Sequence, residues 1–155
     1  MFGFGKKNKK VEEFLIPVSG TIVNLENVND PVFSQKLMGD GFGIEPTDNN
    51  IYAPISGEIV SLMPHAIGIK ADDGLEVLIH VGLETVGLNG EGFSGTKQQG
   101  DRVEAGELVI TADFDAIKDK VPAITTLVIF TNPGDHTFSI NKTEVNAKDT
   151  DAVSI

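Results

Sequence analysis

The apolar residues of this chain fall in short runs that turn-forming residues interrupt, and this pattern restricts the fold more than any other feature. Stretches such as EFLIPVSGTIVNL, NIYAPISGEIVSLM, AIGIKADDGLEVLIHVGL and TTLVIFTN are rich in Val, Ile and Thr and bounded by Gly, Pro, Asn or Asp, as β-strands usually are. Only DPVFSQKLMG and DFDAIKDKVP have a spacing that could form a helical turn or two. The sequence therefore predicts an all-β protein, an antiparallel β-sandwich or barrel-like fold with short helical turns.

A nine-residue motif occurs twice. PVSGTIVNL at residues 17–25 and PISGEIVSL at residues 54–62 share Pro, Ser, Gly, Ile, Val and Leu in register. In each copy Pro leads into a turn, Gly permits a tight backbone, and an apolar strand follows. We interpret the repeat as an internal duplication that contributes two related β-motifs to one fold, and not as two domains.

Composition narrows the classes of function. The chain of 155 residues is long enough for one domain with a hydrophobic core. It contains no cysteine, which excludes disulfides, thiolate metal sites and cysteine nucleophiles. Its net charge of −11 argues against non-specific binding to nucleic acid, because phosphates require a basic surface, and it favours basic partners.

The N-terminus carries the only basic cluster. In MFGFGKKNKK, four lysines follow Phe2 and Phe4, and no apolar stretch of the length of a signal peptide or a membrane span comes after them. We expect residues 1–13 to be a flexible basic leader that could make weak contact with an anionic membrane surface. Residues 14–155 are expected to form a single domain in the cytoplasm.

His80 lies inside an apolar run, GLEVLIHVGLETV. Because side chains alternate along a strand, His80 shares one face with Glu76 and Leu78. The other face is expected to be core and carries Leu75, Val77, Ile79 and Val81.

The segment before this strand holds a second histidine. HAIGIKADDGLEVLIH is typical of a hairpin with DDG, residues 72–74, in its turn. A four-residue turn would place His65 directly opposite His80, and a two-residue turn would place it one diagonal step away. A three-residue turn would separate the two rings. Two of the three registers thus bring together two of the chain's three histidines.

A pair of histidines supports few kinds of chemistry here. Zinc binding needs a third protein ligand, for which Glu84 could serve, so His65 and His80 are possible zinc ligands of a hydrolase. The chain has neither a G-x-S-x-G nucleophile elbow nor a Walker-type phosphate loop. The remaining chemistry is phosphoryl transfer, in which one histidine attacks phosphorus and the other donates to the phosphoryl oxygens.

Two stretches resemble a known family. GLEVLIHVGLETVGLNGEGF, residues 74–93, resembles the phosphorylation-site signature of the glucose-type enzyme IIA proteins of the bacterial phosphoenolpyruvate-dependent sugar phosphotransferase system. DPVFSQKLMGDGFGIEP, residues 30–46, is similar to a second hallmark of that family. The resemblance, which spans residues 14–155, implies an antiparallel β-sandwich. It implies that Nε2 of His80 accepts a phosphoryl group from the phosphocarrier protein HPr and passes it to a cysteine of a sugar-specific IIB domain or IICB permease. It also implies that His65 stabilises the phosphoryl group as a donor, and that no cofactor takes part.

The same resemblance indicates where partners bind. Val32 and Phe33 match family positions that form an apolar rim, and Leu78 flanks His80 on its strand face. Glu84 borders the site at a position where the family more often has Asp. One apolar surface around a polar centre would serve HPr and the IIB domain in turn.

The segment before His65 departs from the family. LMPHA runs straight from Pro64 to His65 and is two residues shorter than usual, so the threonine that supports the first histidine is missing. A regulatory or binding module of the same fold, with weakened onward transfer, is therefore one alternative function, and a zinc-dependent hydrolase is another. The third histidine, His136 in PGDHTF, is expected to lie exposed in a loop.

Overall fold

A computed structural model describes residues 10–155, which form thirteen strands in three antiparallel sheets. The strands are β1 (Gly20–Asn24), β2 (Asp40–Pro46), β3 (Asn50–Tyr52), β4 (Gly57–Met63), β5 (Ala66–Lys70), β6 (Glu76–Leu83), β7 (Phe93–Ser94), β8 (Arg102–Val103), β9 (Leu108–Ala112), β10 (Ala123–Asn132), β11 (Ser139–Ile140), β12 (Glu144–Val145) and β13 (Val153–Ser154). The largest sheet has eight strands in the order β12-β1-β2-β10-β6-β5-β4-β8, and the others are β3-β9-β7 and β11-β13.

Short helical segments connect some of the strands. Two are α-helical, α1 (Pro31–Ser34) and α2 (Phe114–Ile117), and two are 3-10 turns, η1 (Leu25–Asn27) and η2 (Thr85–Leu88). Both α-helical turns fall in the stretches where the sequence predicts them, and each follows an Asp whose carboxylate accepts a backbone N–H of the first turn. The prediction of an all-β antiparallel fold with short helical turns is confirmed.

The main hydrophobic core joins the eight-stranded sheet to the three-stranded sheet. One cluster of buried side chains includes Ile59, Ile79 and Val128 from the larger sheet and Ile51 and Ile110 from the smaller one. Burial of apolar surface between two sheets is the interaction that holds a β-sandwich together. The inner face of the large sheet therefore forms the main core. Side chains on its outer face do not take part in that core and can form a functional site.

A second, smaller core lies on the outer face of the large sheet. Strand β10 is buried on both sides, because Val128 and Phe130 belong to the main core while Leu127 and Ile129 belong to the second one. The other buried members of the second core are Leu25, Val28, Phe33 and Leu83. This core holds the segment that carries η1 and α1 against the face that also carries His80, since His80 pairs directly with Leu127.

The two copies of the repeated motif occupy matching places in the large sheet. β1 and β4 each begin at the glycine of the motif, lie second from opposite edges, and pair with the next strand in the chain. A Cβ at Gly20 would lie 2.0 Å from the carbonyl oxygen of Glu45, and one at Gly57 would lie 2.2 Å from that of Lys70. Both copies therefore need glycine for the same reason, the close approach of the neighbouring strand.

His136 is buried, so the expectation that it lies exposed in a loop is wrong. Its Nε2 lies 2.7 Å from Oδ2 of Asp73, and the same carboxylate accepts the backbone N–H groups of Val11, at 2.8 Å, and Leu75, at 2.9 Å. The carboxylate gives one ring nitrogen the partner that a buried polar group needs, while Nδ1 has no hydrogen-bond partner among the described residues. Asp73 thus joins the β5–β6 turn to the loop after β10 and to the segment before β1.

The predicted leader is only partly within the described residues. Residues 1–9, which hold most of its lysines, lie outside them. Val11, near the end of the predicted leader, packs against the main core and bonds to Asp73. Between residues 10 and 155, no helix is both long enough and apolar enough to cross a membrane.

Asp73 is held in its charged form. Burial by itself would raise the pKa of Asp73, but the hydrogen bonds from His136, Leu75 and Val11 outweigh it and keep the pKa below its usual range. The unfolded chain takes up a proton near the ordinary carboxyl pKa of about 3.9. The carboxylate therefore stabilises the fold above about pH 4, and this contribution is lost as the pH falls from there through the lower pKa of the folded state.

Asp73→Asn is expected to lower the free energy of unfolding at pH 7 by about 2 kcal/mol, because a single amide oxygen cannot replace a charged acceptor of three bonds. Urea unfolding measures the loss. Asp72→Asn is the matched control, since Asp72 pairs with Arg102 at the surface and losing such a pair removes at most about 1 kcal/mol. Equal losses in the two variants, or a deficit of Asp73→Asn that does not shrink below pH 4, would contradict this role.

Candidate functional site

His80 lies in the middle of β6, between β5 and β10. It pairs directly with Ala66 on one side and Leu127 on the other, so these three side chains share the outer face of the sheet. The predicted alternation is confirmed. Leu78 lies on the same face as His80, beside the second core. The other face of this run is buried in the main core through Leu75, Val77, Ile79 and Val81.

One hydrogen bond fixes the ring of His80. Its Nδ1 lies 2.8 Å from the carbonyl oxygen of Gly82. A carbonyl oxygen only accepts, so Nδ1 carries the proton and donates it. In the neutral ring this leaves Nε2 without a hydrogen and with its lone pair free. Nε2 is therefore the nitrogen that can attack an electrophile.

The β5–β6 turn differs from both registers that were expected to pair the histidines. It has three residues, 72–74, because the N–H of Ala71 bonds to the carbonyl of Leu75 at 2.8 Å. The rings nevertheless meet, with centroids 4.9 Å apart and planes at 78°. The prediction that a three-residue turn separates the rings is wrong.

His65 reaches His80 because it does not belong to a strand. β4 ends at Met63 and β5 begins at Ala66, so Pro64 and His65 form the two-residue turn between them. A turn residue is not bound by the alternation of side chains that a strand imposes. The short LMPHA segment, which lacks the family's usual threonine, thus places His65 at the pair by a tight turn.

Packing and one backbone bond hold His65 in this position. The residue is only 5% exposed, and its ring lies between His80 and Phe93, whose centroid is 6.4 Å away. Its carbonyl oxygen accepts the N–H of Val81 at 2.8 Å. Val81 follows His80 directly, so the backbones that carry the two rings are bonded to each other.

Burial lowers the pKa of both histidines. For His65 burial is the cause. For His80 burial comes first and the charge of His65 second, while the hydrogen bond to Gly82 and the negative charge of Asp30 act in the opposite direction. Since the ordinary imidazole pKa is about 6.5, both rings are mainly neutral at pH 7. The lone pair on Nε2 of His80 is therefore present at cellular pH.

A mainly apolar groove of about 460 Å³ opens beside the two rings. Leu78, which the sequence predicts to bind partners, lines it together with Met38, Met63 and Val86. Sequence reasoning missed these last three side chains, which are 42%, 53% and 65% exposed. The sequence signal that could have predicted their exposure is an apolar residue placed in or beside a turn.

Of the other predicted partner-binding residues, Phe33 also lines this groove, whereas Val32 and Glu84 do not. Phe33 is only 6% exposed and its ring centroid lies 5.1 Å from that of His80, so it supports the histidine more than it forms an open rim. Val32, beside it, is 43% exposed. Glu84 is exposed and adopts the left-handed conformation, with φ of 57°, immediately before η2.

A zinc site would need a third ligand beside the two histidines. Within residues 10–155, no group of three or more His, Asp, Glu or Cys side chains is arranged to hold a metal ion. Glu84 does not complete such a group with His65 and His80. The described residues therefore supply two imidazoles but not the three protein ligands that the zinc of a hydrolase requires.

Comparison with known proteins gives one family throughout. The family model described as "phosphoenolpyruvate-dependent sugar phosphotransferase system, EIIA 1" matches residues 12–136. A PTS system glucose-specific EIIA component from Halalkalibacterium halodurans is 46% identical over 140 residues, covering 85% of this chain and 81% of the relative. One from Mycoplasma capricolum is 44% identical over 141 residues and covers 90% of each chain. One from Staphylococcus aureus is 42% identical over 149 residues, covering 95% of this chain and 89% of the relative.

A solved structure agrees with these relatives. The glucose permease IIA from Mycoplasma capricolum has a TM-score of 0.88 at 40% sequence identity, and the match covers 99% of both chains. The fold, the family model and the sequence relatives thus converge, and the predicted resemblance to the glucose-type enzyme IIA family is confirmed. The chain belongs to the EIIA 1 family of the phosphoenolpyruvate-dependent sugar phosphotransferase system.

Proposed function

We propose that His80 is the phosphoryl carrier of this EIIA protein. Its Nε2 accepts the phosphoryl group from phospho-HPr and passes it to a cysteine of a sugar-specific IIB domain or IICB permease. Glucose is the proposed sugar, because the relatives are named glucose-specific. The observation that carries the proposal is the bond from Nδ1 of His80 to Gly82, which keeps the lone pair of Nε2 free.

Both half-reactions use the same nitrogen. In the first, the Nε2 lone pair attacks phosphorus, the bond between phosphorus and HPr breaks, and its electron pair stays on HPr. In the second, the thiolate of the IIB cysteine attacks phosphorus, the phosphorus–Nε2 bond breaks, and its electron pair returns to Nε2. Nδ1 keeps its proton through both steps, so no proton has to move within the His80 ring.

His65 supplies the charge that the phosphoryl group needs. Phosphorylation adds about two negative charges beside a ring that burial keeps neutral beforehand. A nearby anion raises the pKa of an imidazole, so His65 takes up a proton and donates a charge-assisted hydrogen bond to the phosphoryl oxygens. At pH 7 the cation therefore forms when the phosphoryl group arrives, whereas in the unphosphorylated protein it forms only at lower pH.

The apolar groove is the proposed docking surface for both partners. Exposed apolar side chains around a small polar centre favour binding to a complementary protein surface, and the net charge of −11 favours a basic one. The alternative of a regulatory module with weakened transfer rested on the short LMPHA segment, and the contact between the two rings argues against it. A cytoplasmic location and weak contact of the leader with anionic membranes remain predictions.

His80→Gln is expected to abolish phosphorylation. In the presence of phosphoenolpyruvate, enzyme I and HPr, the wild-type protein gains one acid-labile phosphoryl group of about 80 Da, which intact-mass spectrometry detects. His80→Gln gains nothing, because the chain has no cysteine that could replace the nucleophile. His65→Gln is the control and reaches the full gain at completion. Labelling of the His80→Gln protein would overturn the assignment.

His65→Gln is expected to slow transfer from His80 to the IIB cysteine by about a hundredfold, because glutamine can donate but cannot become cationic. Acceptance from HPr should slow much less, since HPr brings its own donors. The same variant should also raise the pKa of His80, because the charge of His65 is one of the causes that lower it. As the pH is lowered, Nε2 of His80 is then protonated earlier. The variant should therefore stop accepting the phosphoryl group at a higher pH than the wild type does.

Rapid-quench rates of the two half-reactions and an NMR titration of the histidines measure these effects. Lys70→Gln is the control, since it introduces the same residue at the exposed end of β5, away from the histidine pair, and should behave as the wild type. An unchanged onward rate together with an unchanged His80 pKa would show that His65 does not act in the site.

A further inference from the structure

Gly82 has a backbone conformation that only glycine adopts readily. Its φ is +80°, and a Cβ at this position would lie 2.6 Å from Cγ2 of Thr85. The residue follows His80 by two positions, and its carbonyl turns back toward Nδ1 of that histidine. Orientation of the His80 ring therefore depends on what keeps Gly82 in this conformation.

The chain is fixed on both sides of Gly82. On one side, the hydroxyl of Thr85 donates to the carbonyl oxygen of Val81 at 2.7 Å, which sets the plane of the peptide that joins Val81 to Gly82. The N–H of Val81 is bonded to His65 at 2.8 Å. On the other side, Leu83 pairs with Ala123 of β10. Gly82 is the one residue between these anchors.

Thr85 is buried, and its hydroxyl has a defined partner. The residue is 1% exposed and begins η2, so its side chain points back over the preceding strand. A hydroxyl removed from water to this degree needs an acceptor, and the Val81 carbonyl is that acceptor. Its methyl group meanwhile occupies the space that a side chain at Gly82 would need.

We propose that Thr85 is a positioning residue for the phosphotransfer site: by holding the Val81 carbonyl it keeps the Gly82 carbonyl against Nδ1 of His80, and so selects the tautomer with a free Nε2. The proposal rests on the proposed function for its link to phosphoryl transfer. The tautomer itself is a property of the unphosphorylated protein. Without the Thr85 bond, the peptide before Gly82 can rotate and the Nδ1 proton loses its acceptor.

Two substitutions distinguish the effect of the Thr85 hydroxyl from the effect of the side chain's shape. Thr85→Val keeps the branched shape and removes the donor, whereas Thr85→Ser keeps the donor and removes the methyl group. In the full chain labelled with ¹⁵N-histidine, long-range ¹H–¹⁵N correlation at pH 8 reports which ring nitrogen of His80 carries the proton. The signals of His65 and His136 in the same spectrum serve as internal references.

Thr85→Val is expected to shift His80 from the Nδ1-protonated form toward a mixture of tautomers and to slow phosphorylation by HPr about tenfold, as loss of an orienting partner commonly does. Thr85→Ser should keep the wild-type tautomer and rate. If Thr85→Val does not fold, Thr85→Ala removes the same hydroxyl without the added methyl group and gives the same reading. A wild-type tautomer in the folded variant that lacks the hydroxyl would overturn the proposal.

The tautomer measurement needs no phosphoryl donor, so the two proposals can fail separately. A wild-type protein that phospho-HPr does not label would contradict the proposed function, whereas the response of the His80 tautomer to Thr85→Val would still support the positioning role. A labelled wild type with an unchanged tautomer in Thr85→Val would contradict only the positioning role.

Discussion

The hydrogen bond from Nδ1 of His80 to the carbonyl oxygen of Gly82 decides what the site can do. It assigns the ring proton to one nitrogen and thereby leaves the other as a nucleophile, before any partner binds. The bond forms where the backbone of β6 departs from regular strand geometry, at a glycine with φ of +80°. An ordinary strand would direct the carbonyl of the second residue along its hydrogen-bonding ladder and away from the ring.

The two faces of the sheet around this bond have different roles. The inner face carries the main core and gives the sandwich its stability, whereas the outer face carries a small second core that covers part of β10. The edge of that second core brings Phe33 against the ring of His80 and leaves Leu78 beside the groove. Burial at this edge lowers the pKa of both imidazoles, so Nε2 of His80 offers a lone pair at pH 7. In the proposed function, His65 becomes cationic once the phosphoryl group is beside it.

Much of this arrangement could be predicted because it follows from local pattern. Alternation within GLEVLIHVGLETV placed His80 on the face opposite the core, and turn residues marked the strand ends. The meeting of His65 and His80 could not be derived from register, because His65 sits in a turn whose side-chain direction strand periodicity does not describe. The burial of His136 was missed for another reason: its partner Asp73 is 63 residues away in sequence, and nothing near His136 signals a carboxylate. The proposed role of Thr85 was missed because its hydroxyl bonds to a backbone carbonyl and not to the His80 ring, so the residue resembles an ordinary turn residue.

The identity of the phosphorylated nitrogen tests the central claim most directly. The protein labelled with ¹⁵N-histidine would be phosphorylated through HPr at alkaline pH, where phosphohistidine persists, and the coupling between ³¹P and the ring nitrogens would be recorded. The account predicts a one-bond coupling to Nε2 of His80, with Nδ1 of the same ring still bearing its proton. A one-bond coupling to Nδ1 of His80, or to either nitrogen of His65, would contradict it.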